Sequence, residues 1–197
     1  MGELEKILLM INRWGYLNIE QVALLTQKSF ISAKRILERN LKKGFYKIDQ
    51  HTRKNIYYLS HKGNTFVGRE HKKAIKINCY EMPHQDMLIK WLCSQTDIEH
   101  YQTERELKME NGNLNAYPDL IVYKTDGTIQ LVEFERTRKT PERFFKKLQG
   151  LVEYYKQNYT VHWITPTQTL ANWIQNQVNK WQAPQELNTY EIWNNKE

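Results

Sequence analysis

The chain has 197 residues, 40% of them hydrophobic and 26% charged, with a net charge of +7. That is room for one large domain or two small ones, and no apolar run approaches the roughly 18–20 residues of a transmembrane helix. The opening "MGELEKILLMINRWG" carries acids early and has neither a small-residue cleavage site nor the serine or threonine of a myristoylation signal, which argues against a secretory leader or a lipid anchor. Two cysteines, Cys79 and Cys93, are too few for a disulfide framework and lack metal-ligand spacing, so a reduced, cytoplasmic protein is expected.

The charge is unevenly distributed. Residues 1–75 hold 15 Lys/Arg against 6 Asp/Glu, and residues 76–197 hold 14 against 16. A basic module joined to a near-neutral one suggests a polyanion-binding arm beside a second function.

In chain order, "ELEKILLMINRWG" places Leu4, Ile7, Leu8, Ile11 and Trp14 at helical spacing, and Gly15 ends the run. "NIEQVALLT" predicts a second helix with Asn18 as N-cap. "KSFISAKRILERNLKKG" predicts a third, capped by Ser29 or Ser32, with Ile36, Leu37 and Leu41 as its apolar face and Gly44 as its stop. "FYKID" and "KNIYYLS" read as a hairpin around "QHTR", and "SHKGNTFVGREHKK" begins another short helix.

Three short helices followed by a basic hairpin resemble a winged helix-turn-helix over about residues 3–68, within an expected domain at 1–70. That plan would put the third helix in the major groove, presenting Ser32, Lys34, Arg35 and Arg39. The wing tip, Gln50, His51, Thr52, Arg53 and Lys54, would reach phosphates or the minor groove. Residues 71–80 read as a linker.

The remainder, 81–197, alternates. "PHQDMLIKWLCSQ" is helical, "EHYQTERELKM" is β-like, and "PDLIVYKT" and "TIQLVEFERT" form a hairpin around Asp126-Gly127. "PERFFKKLQGLVEYYKQN" is a long amphipathic helix with Pro141 near its start. "TVHWITP" is a strand, "TQTLANWIQNQVNKW" a helix and "NTYEIWN" a last edge strand. The expected fold class is α/β (α+β), a mixed sheet flanked by helices.

Within that hairpin three acids converge. Asp119 begins one strand, and Glu133 and Glu135 end the next on one face, with Phe134 opposite. An oxygen cluster of this type suits Mg2+ or Mn2+, which would activate a nucleophile and stabilise charge on a phosphodiester. The alternative is that Glu133 and Glu135 pair with Lys124, Arg138 or Lys147 and need no metal. The histidines, at 51, 61, 71, 84, 100 and 162, never fall two apart, which argues against a His-hydrophobic-His relaxase centre. Tyr154 and Tyr155 read as helix packing. Trp163, Trp173, Trp181 and Trp193 read as core or interface, and no P-loop, dinucleotide fingerprint or Gly-x-Ser-x-Gly occurs.

"PD" followed after a turn by "EFE" resembles the PD-(D/E)XK nuclease fold, in which the Asp and first Glu bind metal and a Lys follows two residues later. Here Glu135 stands at the lysine position. The layout is also similar to the replication-relaxation family, which includes MobC-type relaxases of mobilisable plasmids: a winged helix, then a nuclease-like domain with an acid-x-acid-Arg-x-Thr pattern, here "EFERT". That resemblance implies binding and metal-dependent nicking of double-stranded DNA at a plasmid origin. Asp119, Glu133 and Glu135 would be metal ligands. His84 would be a ligand or proton-transfer group, and Lys139 or Lys147 would replace the missing lysine charge. Arg136 would pair with a carboxylate or phosphate. A homodimer and mobilisation accessory proteins are the partners implied. The alternative is a non-catalytic origin-binding accessory factor or regulator whose nuclease fold is degenerate.

Overall fold

The computed structural model of the chain describes residues 1–50, 54–69, 75–110, 112 and 116–193. They form two compact units, Met1–Ser94 and Gln95–Glu197, and the fold is mixed α+β.

In the first unit the helices are α1 (Glu3–Trp14), α2 (Ile19–Leu25), α3 (Phe30–Asn40), α4 (His61–Phe66) and α5 (Met82–Ser94). The strands are β1 (Tyr16–Asn18), β2 (Tyr46–Asp49) and β3 (Ile56–Leu59), an antiparallel sheet in the order β1-β3-β2. The apolar stripe of α1, Ile7, Leu8 and Ile11, is wholly buried. Asn18 ends β1 and caps α2, accepting from the Gln21 amide at 2.9 Å while Gln21 Oε1 accepts from the Asn18 amide at 3.0 Å. Of the two serines proposed for α3, Ser29 is the cap, accepting from the Ser32 amide. A 3-10 turn over Leu41–Lys43 carries the chain from α3 to Gly44, which stands at φ 70 and turns it into the hairpin. Gly63 in α4 is forced by contact: a Cβ there would lie 1.9 Å from the Phe45 carbonyl oxygen.

Three elements depart from the sequence expectation. The short strand β1 was hidden because three residues between two helices carry too little periodicity. Helix α5, expected to open the second domain at residue 81, belongs with the first unit instead. Gln85 Nε2 donates to the Tyr16 carbonyl at 2.7 Å, and α5 packs along α2. The segment expected to be β throughout 99–109 turns helical after Thr103. There "TERE" is a capping box: the Glu106 carboxylate accepts from the Thr103 amide at 3.0 Å, and Thr103 Oγ1 accepts from the Glu106 amide.

The second unit holds β4 (Ile98–Thr103), α6 (Glu104–Glu110), β5 (Leu120–Lys124), β6 (Ile129–Phe134), α7 (Pro141–Tyr155), β7 (Thr160–Thr165), α8 (Gln168–Lys180) and β8 (Asn188–Ile192). The sheet order is β4-β5-β6-β7-β8; the first three strands are antiparallel, and β7 and β8 continue parallel to β6. One face carries Ile121, Leu131, Val161 and Trp163, all buried in a core with Phe144, Leu148 and Leu151 of α7 and Ile174 and Val178 of α8. The opposite face carries Leu120, Val122, Val132 and Ile164, also buried. A sheet buried on both faces explains why β5, β6 and β7 read as continuous apolar runs. Pro141 occupies the first turn of α7, and Thr140 caps it.

Candidate functional site

Asp119 and Glu133 stand at the same end of the β5–β6 hairpin. Leu120 pairs with Val132 across the β5–β6 hairpin, so Asp119 and Glu133 sit side by side one step further along. Asp119 Oδ2 accepts from the Phe134 amide at 2.8 Å, and the Asp119 carbonyl accepts from the Glu104 amide at 3.0 Å. Glu133 lies opposite Trp163 on the face covered by α7. Just past the end of β6, Glu135 extends the ladder, its amide donating to the Ile164 carbonyl at 2.9 Å. Strand alternation returns its side chain to the same face as Glu133.

Helix α7 brings the cations. Phe144, Lys147, Leu148 and Leu151 share its inward face by their i, i+3, i+4, i+7 spacing. Lys147 Nζ is in ion-pair contact with Glu133 Oε2 and lies 2.9 Å from Glu135 Oε1. It also sits 5.8 Å from the centroid of the Trp163 ring. Lys139 Nζ contacts the same Glu135 oxygen. Glu133 is 0% exposed and Glu135 4% exposed, so this is a buried charge cluster, not a solvated face.

Burial pushes the Glu133 carboxyl well above the ordinary carboxylate range; Lys147 opposes that shift, and Asp119 and Glu135 reinforce it. For Lys147, burial works against the charge, but Glu133, Asp119 and Glu135 outweigh it and hold the ammonium well above the ordinary lysine range. Burial and then the neighbouring Lys147 push Lys139 down. Three acids face two ammonium groups, so the excess carboxylate adds to the upward push that burial starts on Glu133. Glu133 Oε1 is buried and has no hydrogen-bond partner among the described residues.

The divalent ion implied by the resemblance meets a poor fit in this arrangement. The Lys147 ammonium reaches both Glu133 and Glu135 and supplies the positive charge a metal would bring. One Asp119 oxygen is committed to the Phe134 amide. Among the described residues no three His, Cys, Asp or Glu side chains are grouped to hold a metal ion.

Of the remaining expected residues, His84 lies on α5 in the first unit. Arg136, Thr137 and Arg138 are exposed, with Arg138 5.2 Å over the Trp173 ring. Tyr154 and Tyr155 are buried core residues, and the Tyr155 hydroxyl donates to Asn188 Oδ1 at 2.9 Å. Trp163 is fully buried, Trp173 and Trp181 pack against the same core, and Trp193 meets Phe134 edge to face. The sequence signal for Lys147 was present: a lysine on the otherwise apolar stripe of an amphipathic helix must find a counter-charge inside. For Glu133, the corresponding signal is an acid within the apolar run "IQLVEF".

On the first unit, Lys34, Arg35 and Arg39 project from α3 into solvent and Ser32 is partly exposed. Ser32, Arg35 and Arg39, with Ser29, Ile31, Ile36 and Glu38, line a depression of about 640 Å3. Lys34 pairs with Glu38 one turn on at 3.7 Å, and Lys54 pairs with Glu20 of α2. The expected wing-tip residues His51, Thr52 and Arg53 lie outside the described residues.

No family model matches the chain, and no curated protein matches it. Among solved structures it is similar to "TrmBL2, an archaeal chromatin protein", whose description reports a novel mode of DNA binding. The identity is 10% and the TM-score 0.29, covering 100% of this chain and 74% of that one. A likeness that low carries no argument. Among the described residues no helix is long and apolar enough to cross a membrane.

Proposed function

We propose that this chain binds double-stranded DNA through its first unit, with α3 as the element that enters the major groove, and acts at a plasmid origin in mobilisation or replication. The observation that carries the DNA-binding reading is the outward face of α3. It presents Lys34, Arg35 and Arg39 to solvent beside a three-stranded sheet with a β2–β3 hairpin. The unit that holds it, residues 1–94, has 17 Lys/Arg against 8 Asp/Glu. Cations on one helix face supply both phosphate attraction and guanine-reading geometry. The test is selection of duplexes from a random pool, followed by binding of an Arg35→Ala/Arg39→Ala variant. Each lost bidentate guanine contact costs about 1–3 kcal/mol on the selected site and little on unrelated duplex. Equal affinity of both proteins for all duplexes would sink the reading.

A second reading concerns nicking, and the meeting of Asp119, Glu133 and Lys147 favours it. Two acids and a lysine are the residue types that the nuclease resemblance calls for, with the lysine supplied from α7. That second reading requires supercoiled plasmid with Mg2+ or Mn2+ to give open circles with wild type and none with Asp119→Ala. If neither protein nicks and both still bind, the second unit is a non-catalytic accessory module in which Lys147 is a permanent counter-ion.

A further inference from the structure

Twelve residues set the second unit apart from its own composition. Residues 95–197 hold 12 Lys/Arg against 14 Asp/Glu, but half of the basic residues fall within 136–147, "RTRKTPERFFKK", where Glu142 is the single acid. The rest of the unit has 6 basic residues against 13 acidic ones. Inside the dodecapeptide the cations divide by role. Lys139 and Lys147 turn inward to the buried carboxylates. Arg136, Arg143 and Lys146 are exposed and make no ion pair with a described residue. Arg138 is exposed and lies over Trp173, which holds its guanidinium at the surface.

We propose that this segment, the loop after β6 and the first turns of α7, is a second DNA-backbone contact that grips phosphates independently of α3. An acidic body confines an attractive potential to one place, and unpaired guanidinium groups there suit phosphate oxygens. The contact carries no sequence information of its own, because phosphates are the same at every step. The proposal rests on the DNA-binding reading and adds to it a second, sequence-blind point of attachment.

The test separates the two. Dissociation constants are measured for the full chain on the selected duplex and on an unrelated duplex, across a potassium chloride series. The α3 variant Arg35→Ala/Arg39→Ala should lose its preference for the selected site and keep salt-dependent binding. The variant Arg136→Gln/Arg143→Gln/Lys146→Gln should keep the preference and bind both duplexes more weakly. Its log–log salt slope should be shallower by about 2–3, since each phosphate contact contributes about 0.9. All three substituted side chains are exposed, so the circular dichroism spectrum should be unchanged. An unchanged slope and affinity in the triple variant overturns the second contact, even with α3 binding intact, and leaves the patch to an acidic protein partner. Failure of wild type to bind any duplex overturns both readings.

Discussion

The two units bury different kinds of polar group. In the first, the buried polar side chains are neutral amides: Asn12, Asn18, Gln21, Asn40 and Asn64. Each has a structural task, as when Asn12 Nδ2 donates to Asn64 Oδ1 at 2.8 Å and ties α1 to α4, or Asn40 Nδ2 donates to the Ile36 carbonyl at 2.7 Å. In the second unit the buried set includes three carboxylates, Glu106, Glu133 and Glu135. Glu106 closes a capping box, which is local structure. Glu133 and Glu135 are held by lysines from another element, at a cost that packing alone would not require. An amide can be satisfied once and left neutral. A buried carboxylate demands a counter-charge, and the pair responds to pH. The first unit therefore keeps its charge on the surface, where a polyanion can meet it, and the second stores charge inside.

The sharpest way to break that contrast is to remove one side of the stored pair. Lys147→Ala should destabilise the second unit by about 3–5 kcal/mol in urea unfolding, because it leaves Glu133 buried without its cation. Lys147→Met combined with Glu133→Gln should recover much of the loss, since the charge and its partner leave together. Next in size, Gly63→Ala in the first unit should cost about 1–3 kcal/mol by forcing α4 away from Phe45. At Gly68 a Cβ has open space, so Gly68→Ala should cost less, about 1 kcal/mol, from the φ of 67 alone. Smaller again, Asn18→Ala should cost about 1 kcal/mol through the lost α2 cap.

The last prediction is a pH profile. Glu133 is raised in the folded state above its ordinary value of 4.5, so its contribution is fully present below that value and is lost as pH rises through the folded pKa. Lys147, raised above 10.5, keeps its contribution until the pH climbs past that value. Stability of the second unit should therefore fall with rising pH from about 4.5 upward, and Glu133→Gln should flatten the acid-side part of that fall. The first unit, with neutral amides inside, should show no such dependence from its core. A flat profile for the second unit would show that Glu133 is ionised throughout and that the two interiors do not differ in this respect.

Much of this contrast was legible before any coordinates. Helical spacing gave α1 and α3, and Asn18 was found as a cap because an amide before an apolar run has a local task. Hairpin geometry placed Asp119 beside Glu133, and strand alternation put Glu135 on the face of Glu133. What the chain did not show was depth. An acid inside "IQLVEF" is the one local hint for Glu133; its full burial is decided by α7, which begins eight residues later. The helical turn at Glu104 was missed although its capping box was written in "TERE", since alternation through "EHYQ" carried the β reading forward. Helix α5 packs along α2 in the first unit, which its place in the sequence does not disclose.

One contact without a polar atom has a consequence for all of this. Gly150 lies on α7 where a Cβ would come within 2.1 Å of the Ala116 Cβ. Ala116 precedes Asp119 by three residues, and Gly150 follows Lys147 by three. The bare glycine is thus a seating surface. It lets the helix rest at a depth that its neighbours could not reach, and it sets how far the ammonium extends toward the acids. A methyl group there would act as a shim, lifting the helix and lengthening every charge contact beyond it. The cluster's electrostatics are in that sense machined by a residue that has no side chain.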